Sequence, residues 1–166
     1  MRKIETCDIM LFSENGWTSK IIKWGTKSKY SHVSICVDPD IHLMIEANGK
    51  VRAEDIRRSM ECDVYRVKPG YSYDLPKVIS FLVDKLNRPY DYLGVIYLGF
   101  LKVFCHKKRA NKWQRDHDYF CSELTKQAFK AGGLDLIPDM KAEIVSPGDI
   151  ANSEVVELII EGEKYE

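Results

Sequence analysis

Alternating apolar and polar residues predict two neighbouring strands in the first third of the chain. In Ser31–Val37, three apolar side chains fall on one face, and His32 lies on the other with a serine and a cysteine. Asp38–Asp40 has the composition of a turn, and Ile41–Ala47 alternates again, with Glu46 and Met44 on one face. The pattern therefore predicts an antiparallel hairpin.

The register of this hairpin follows if Asp38–Asp40 is a three-residue loop. Val37 then pairs with Ile41, apolar residues face each other along one side, and His32 lies directly opposite Glu46. Directly opposed residues bring their Cβ atoms to about 4.5–5.5 Å, which is close enough for a hydrogen bond between imidazole and carboxylate. A slip of one residue would break the apolar matches and the polar one together.

The remaining elements are segregated along the chain rather than strictly alternating. Ile9–Phe12, Asp63–Val67 and Val155–Ile160 are predicted strands. The other segments are predicted as a helix from Trp17 to Trp24 that Gly25 ends, a short polar helix or turn over Ala53–Met60, an amphipathic helix over Leu75–Leu86, an apolar helix from Tyr92, and a turn over Ser146–Asp149. This order predicts an α+β fold in which a mostly antiparallel sheet packs against helices.

A cysteine occupies the predicted first turn of a helix in the last third of the chain. Apolar residues recur at helical spacing from Phe120 to Ala131, Gly132-Gly133 supplies the stop, and Asp118 is a suitable N-cap. Cys121 would then lie among free backbone N–H groups at the positive end of the helix dipole, which favours an anion. A thiolate is a nucleophile. The competing interpretation is a small buried hydrophobe, which most free cysteines are.

Cysteine-dependent catalysis needs a thiol, an imidazole that takes and returns its proton, and a third group that orients the imidazole. Cys121, His32 and Glu46 supply one of each. Each residue considered alone has a simpler interpretation: His32 as a solvated histidine at a strand end, and Glu46 as a surface carboxylate. The shared face and the matched register favour a site that contains all three.

A metal site is the alternative to a catalytic site for these histidine and cysteine residues. His32 and Cys36 share a strand face, but four residues of strand span about 13 Å, so the two cannot bind one ion. His117 and Cys121 could share an ion if the helix began early enough, but no C-x-x-C or H-x₃-H pair supplies the other two ligands. We expect neither a metal nor another cofactor.

Composition limits the class of protein. With 166 residues, 45% of them hydrophobic, the chain is long enough for one folded domain over residues 1–166. Basic and acidic residues are equal in number, at 25 each, so no overall charge points to nucleic acid or a membrane. Five cysteines and no apolar signal core after Met1 predict a reducing, cytoplasmic setting, with delivery by a phage or by lysis left open.

One basic run is the candidate for contact with an anionic partner. Lys102–Arg115 carries six Lys or Arg residues and no acid, next to the predicted apolar helix. Such a run is usually a solvated loop, and the alternative is an anionic or membrane-surface contact. Sequence-specific binding of nucleic acid is not expected.

Six short segments, in order along about nine tenths of the chain, resemble one known family. They are Cys7–Phe12, Tyr30–Ile35, Ile45–Ala47, Pro89–Tyr92, Phe120–Leu124 and Ser146–Ile150. The chain resembles the circularly permuted papain-like (NlpC-type) hydrolases, in particular the YiiX-like group, and more distantly lecithin retinol acyltransferase. In that family the histidine strand precedes the cysteine helix, as it does here.

The resemblance implies a permuted papain-like fold with Cys121 as nucleophile, His32 as base and Glu46 as the third member. It further implies that Tyr30 lines the substrate site. The expected activity is cleavage of an amide bond in a peptide, a peptidoglycan fragment or an amino-acid conjugate. Acyl hydrolysis or transfer on a lipid ester or amide is the alternative, and a non-catalytic binding protein on the same scaffold is another.

Overall fold

The structure is a computed structural model that describes residues 3–58, 61–88 and 121–163. Within these residues, six strands form one antiparallel sheet in the order β4-β3-β2-β1-β5-β6. The strands are β1 (Ile9–Phe12), β2 (His32–Asp38), β3 (Leu43–Asn48), β4 (Lys50–Asp55), β5 (Cys62–Val67) and β6 (Val156–Glu163). The helices are α1 (Trp17–Thr26), α2 (Leu75–Asp84), α3 (Cys121–Ala131) and α4 (Pro147–Ala151), with short 3-10 turns at Ile56–Arg58 and Ala142–Ile144. The α+β prediction is confirmed.

The two faces of the sheet bury different clusters of side chains. On one face, apolar residues of the central strands pack against the helices; they include Ile9, Leu11, Val33, Ile35, Val78, Leu82, Leu124, Ala128 and Phe129. The other face buries a smaller cluster that includes Met10, Phe12, Cys36, Met44 and Val64. The predicted division of β2 into two faces is therefore confirmed, since Val33 and Ile35 fall in one cluster and Cys36 in the other.

The predicted register of the β2–β3 hairpin is wrong by two residues. Glu46 pairs with Ser34 rather than with His32, and β3 begins at Leu43 rather than at Ile41. The register shifts again between Cys36 and Asp38, and the turn covers residues 39–42 instead of the three predicted. Because side chains alternate along a strand, a slip of two leaves each one on its predicted face. His32 and Glu46 therefore share a face as diagonal neighbours.

The segment after β3 forms a strand where a short polar helix or turn was predicted over Ala53–Met60. Gly49 takes a left-handed backbone conformation with φ of 75°, which turns the chain back on itself. Lys50–Asp55 then pairs with β3 residue by residue, with Arg52 opposite Glu46. Only the residues after Asp55 enter a helical turn, at Ile56–Arg58.

Two helix boundaries also differ from the predictions. Gly25 does not end α1, which continues to Thr26 and stops where Lys27 adopts a left-handed φ of 53°. Ser146–Asp149 is more than a turn, because the Ser146 side chain accepts from the Asp149 N–H and the Asp149 carboxylate accepts from the Ser146 N–H. This reciprocal capping box starts α4.

The predicted helix over 75–86 and the predicted strands over 9–12, 63–67 and 155–160 are confirmed with small changes at their ends. The apolar helix predicted from Tyr92, the basic run Lys102–Arg115, and the proposed cap residue Asp118 lie outside the described residues. No helix in the described part of the chain is both long and apolar enough to cross a bilayer.

A close approach fixes α3 against α2. The Asp74 N–H, at the start of α2, donates to the Gly132 carbonyl at 2.8 Å. A Cβ on Gly132 would come within 2.6 Å of a Val78 methyl group and 3.0 Å of the Asp74 carbonyl. Only glycine fits at this contact without displacing its neighbours, so Gly132 both follows α3, as predicted, and sets its distance from α2.

Candidate active site

Cys121 is the first residue of α3 and is 4% exposed. Buried polar side chains hold the helix that carries it. The Ser122 hydroxyl donates to the Val145 carbonyl at 2.6 Å, and the Lys126 ammonium bonds the Asp135 carboxylate. These contacts tie the first two turns of α3 to the chain that follows it, so the position of the thiol is set by packing on several sides.

His32 is the first residue of β2 and is 6% exposed. It pairs with Phe12 across the β1–β2 ladder, and the centroids of the two rings lie 5.8 Å apart. Directly before β2, the Ser31 N–H donates a hydrogen bond to the Phe12 carbonyl at 2.9 Å. The imidazole is therefore fixed at the end of the two central strands rather than solvated.

The three side chains predicted to form the site are brought together. Nε2 of His32 lies 2.7 Å from Oε2 of Glu46, which is 5% exposed. The Cys121 side chain lies close enough to the His32 ring to raise its pKa. Because Glu46 engages Nε2, Nδ1 is the ring nitrogen left to exchange a proton with the thiol. The sequence argument thus reached the correct contact through an incorrect register.

Arg52 extends this group and was missed by the sequence argument. Its Nε and Nη2 atoms lie 2.9 Å and 2.7 Å from Oε1 of Glu46, the carboxylate oxygen that His32 does not use. A signal was present in the sequence, because Glu46 and Arg52 are equally distant from Gly49. A tight turn centred on that glycine pairs the two residues directly.

The electrostatics of the site favour charged forms. Burial alone would lower the pKa of His32, but its hydrogen bonds to Cys121 and Glu46 and their charges outweigh burial and raise the pKa from 6.5 to about 10. Burial alone would raise the pKa of Glu46, and the hydrogen bonds and charges of His32 and Arg52 reverse this, so that the pKa falls below 4.5. At neutral pH the imidazole is protonated and the carboxylate is ionised.

Besides Cys121, three cysteines in the described part of the chain are buried: Cys7, Cys36 and Cys62. Burial raises the pKa of the Cys7 thiol to about 12, and it does the same for Cys36. Cys62 is buried as well, in the small cluster on the second face of the sheet. Thiols held neutral, as burial holds those of Cys7 and Cys36, are poor nucleophiles.

Tyr30 is buried, and its hydroxyl is engaged by β5. It donates to the Asp63 carboxylate and lies 3.0 Å from the Tyr65 hydroxyl, while the Lys29 ammonium lies 2.7 Å from the same carboxylate. Burial, followed by these hydrogen bonds, raises the pKa of Tyr30. The predicted contact between Tyr30 and a substrate stays a prediction.

Comparison with known proteins identifies the fold alone. No protein-family model matches the chain, and no curated protein matches it. Among solved structures, an α+β fold of the same kind is found with a TM-score of 0.72 and 18% sequence identity, over 96% of this chain and 98% of the other. That structure is YiiX from Escherichia coli O157:H7, described as a metalloprotein of the DUF1105 group. The YiiX-like part of the predicted resemblance is supported.

The description of YiiX as a metalloprotein raises the question of whether this chain offers metal ligands. Within residues 3–58, 61–88 and 121–163, no three His, Cys, Asp or Glu side chains are placed so that they could hold one ion. Nε2 of His32 bonds Oε2 of Glu46, and Arg52 bonds the other oxygen of Glu46. His117, half of the competing metal pair, lies outside the described residues. The described side chains do not fit a metal centre.

Proposed function

We propose that the chain is a cysteine hydrolase or acyltransferase in which Cys121 is the nucleophile, His32 the general base and acid, and Glu46 the group that orients His32. The observation that carries this proposal is that one buried imidazole bonds a carboxylate, at 2.7 Å, and lies beside a buried thiol. Each of the three residues lies on a different element, and each is buried. A hydrogen-bonded set of thiol, imidazole and carboxylate is the arrangement that nucleophilic cysteine catalysis requires.

In the proposed reaction, the Cys121 sulfur attacks a substrate carbonyl carbon and a tetrahedral oxyanion forms. In this mechanism the Cys121 backbone N–H donates to that oxyanion and stabilises it. When the intermediate collapses, protonated His32 gives its proton to the leaving amine or alcohol, and a thioester remains on Cys121. His32 then takes a proton from water, or from an acceptor alcohol or amine, which attacks the thioester and frees the thiol.

Glu46 and Arg52 act on this reaction through His32. The carboxylate fixes Nε2 as the bonded nitrogen, so Nδ1 keeps facing the sulfur through both proton transfers. Arg52 holds the second carboxylate oxygen, which prevents Glu46 from rotating away. Glu46 and Arg52 are therefore positioning residues in this proposal, whereas Cys121 and His32 touch the reacting atoms.

The proposed substrate is an amide of a peptide, a peptidoglycan fragment or an amino-acid conjugate, with a lipid ester or amide as the alternative. This assignment, and that of a permuted papain-like architecture related to lecithin retinol acyltransferase, rest on the sequence resemblance. The order of the elements supports the proposed permuted architecture, since the strand that carries His32 precedes the helix that carries Cys121. Contact of Lys102–Arg115 with an anionic partner belongs to the same set of proposals.

An activity-based thiol probe tests the proposal at the level of single residues. The folded protein is treated with an electrophilic probe at neutral pH, and labelled cysteines are mapped by mass spectrometry. We expect Cys121 to react before Cys7, Cys36 and Cys62, and His32→Ala to slow this labelling strongly. His42→Asn is the matched control, because His42 has a left-handed φ of 58°, which asparagine tolerates, and it lies outside the site.

Labelling of Cys121 that is indifferent to His32→Ala would overturn the proposed mechanism. A rate no faster than that of an ordinary free thiol would instead favour a non-catalytic binding protein on the same scaffold. Profiling the intact enzyme against a peptide-amide library and a lipid-ester library then separates the two substrate classes.

A further inference from the structure

Two tryptophans are exposed on one face of α1. Trp17 is 67% exposed and Trp24 is 66% exposed. They lie seven residues apart, close to two turns of helix, so both indoles project from the same side. Ile21 lies between them on that side and is only partly covered. Large aromatic side chains concentrated in this way on a surface usually mark a site of interaction.

The opposite side of α1 faces the protein. Ser19 is buried there, and its hydroxyl donates to the Glu14 carboxylate at 3.3 Å. The Lys23 ammonium donates to the Glu14 carbonyl at 2.7 Å. These polar contacts hold the helix to the fold, while the indoles of Trp17 and Trp24 are turned outward.

The charged residues of α1 itself, and of the chain directly after it, have one sign. Residues 15–37 contain four lysines and no Asp or Glu. Lys23 and Lys29 are engaged within the fold, by Glu14 and by Asp63. Lys20 and Lys27 are exposed and form no ion pair with any residue in the described part of the chain. Lys20 lies three residues after Trp17 and four before Trp24, so its ammonium flanks both indoles.

We propose that α1 docks the protein on an anionic lipid surface, with Trp17, Ile21 and Trp24 entering the headgroup region and Lys20 and Lys27 binding the phosphates. Tryptophan is suited to that region because its ring is apolar while its N–H still finds a polar partner. A helix with an aromatic face beside lysines, lying in the membrane plane, is the usual form of such a contact. The charge complementarity between acid-free α1 and anionic headgroups selects this partner.

This inference does not depend on the proposed catalytic activity, and it does not rest on Lys102–Arg115, which lies outside the described residues. It does affect the site, because α1 links the end of β1 to the start of β2, where His32 lies. A protein docked through α1 would hold this end of the sheet near the lipid surface.

Vesicle flotation with the full chain tests the inference. Two preparations are compared, one of phosphatidylcholine alone and one of equimolar phosphatidylcholine and phosphatidylglycerol. We expect binding to the anionic vesicles, with a blue shift of tryptophan emission, and weak binding to the neutral ones. Trp17→Ala with Trp24→Ala should weaken binding by about tenfold or more, because the inserted apolar area is lost.

The lysines are tested separately. Lys20→Gln and Lys27→Gln should each weaken binding to anionic vesicles by about fivefold, the usual contribution of one basic residue near such a surface, and leave binding to neutral vesicles unchanged. Tyr71→Ala and Lys77→Gln, an exposed aromatic residue and an exposed lysine outside α1, are the matched controls. Circular dichroism and urea unfolding verify that each variant is folded, as expected for changes at exposed side chains.

Three outcomes overturn the inference. The first is absence of binding to either vesicle. The second is undiminished binding by the double tryptophan variant. If neutralising Lys107, Lys108 and Arg109 then removes binding, the lipid contact belongs to those residues and not to α1. The third is a self-associated protein that the tryptophan variant converts to a monomer without any vesicle binding, which would show that a second copy covers this face.

Discussion

Arg52→Gln measures how far the buried carboxylate of Glu46 depends on its guanidinium partner. Glu46 has a side chain that is 5% exposed, and Nε and Nη2 of Arg52 lie 2.9 Å and 2.7 Å from its Oε1. Glutamine keeps part of the side-chain length but removes the positive charge and the forked pair of donors. The substitution therefore leaves a buried negative charge with one strong partner, His32, instead of two.

The expected loss of stability follows from these contacts. A hydrogen bond to a charged group contributes about 1.5–3 kcal/mol, and breaking a fully buried ion pair costs about 3–5 kcal/mol. The Arg52 side chain is 39% exposed, so water replaces part of the lost interaction and the smaller range applies. We expect the free energy of unfolding to fall by about 2 kcal/mol at neutral pH.

Urea denaturation followed by circular dichroism measures this change. For a slope of about 1–3 kcal/mol per molar urea, the midpoint should fall by about 1 M. Arg57→Gln is the matched control, since Arg57 pairs with Asp55 at an exposed position and its loss should have no measurable effect. Arg52→Lys should be intermediate because it keeps the charge and loses the fork. If Arg52→Gln is as stable as Arg57→Gln, the reasoning about Glu46 is wrong.

Three further predictions follow from the same geometry. Glu46→Gln should slow labelling of Cys121 by a thiol probe, since a neutral amide holds the His32 ring less firmly; an unchanged labelling rate contradicts this. Because the folded pKa of His32 is raised from 6.5 to about 10, the stability it contributes is fully present below pH 6.5 and is lost as pH rises towards 10. Urea unfolding from pH 6.5 to 9 should therefore show a decline that His32→Gln flattens. Gly132→Ala should lower the free energy of unfolding by about 1–3 kcal/mol through a clash with Val78, measured by the same denaturation; an unaffected midpoint contradicts it.

Much of the fold could be predicted because its strongest elements have clear periods. The alternation in β2 and the helical spacing in α2 and α3 each reflect burial on one side, and burial is what the sequence pattern reports. The contact between His32 and Glu46 was predicted for a similar reason, since two residues on one face of a sheet stay on that face when the register slips by two. The register itself depends on the irregularity between Cys36 and Asp38, which no local pattern indicates.

The missed elements are those in which local composition opposes the tertiary structure. β4 is an edge strand of the sequence Lys-Val-Arg-Ala-Glu-Asp, in which Val51 is the one strongly apolar residue, so its polar character suggested a helix or turn. Arg52 was overlooked together with its strand. Pro147-Gly148 has the composition of a turn, and only the Ser146 and Asp149 capping box marks the start of α4.

The turn between β2 and β3 is a suitable place for the insertion of extra residues. Asp40 and Ile41 are exposed at its tip, while further along the strands His32 pairs with Phe12 and Glu46 pairs with Ser34. Extra residues inserted between Asp40 and Ile41 extend into solvent and leave those pairs in place. A short epitope or a dye-accepting peptide grafted at this tip would therefore let the protein be immobilised or tracked with its thiol centre undisturbed.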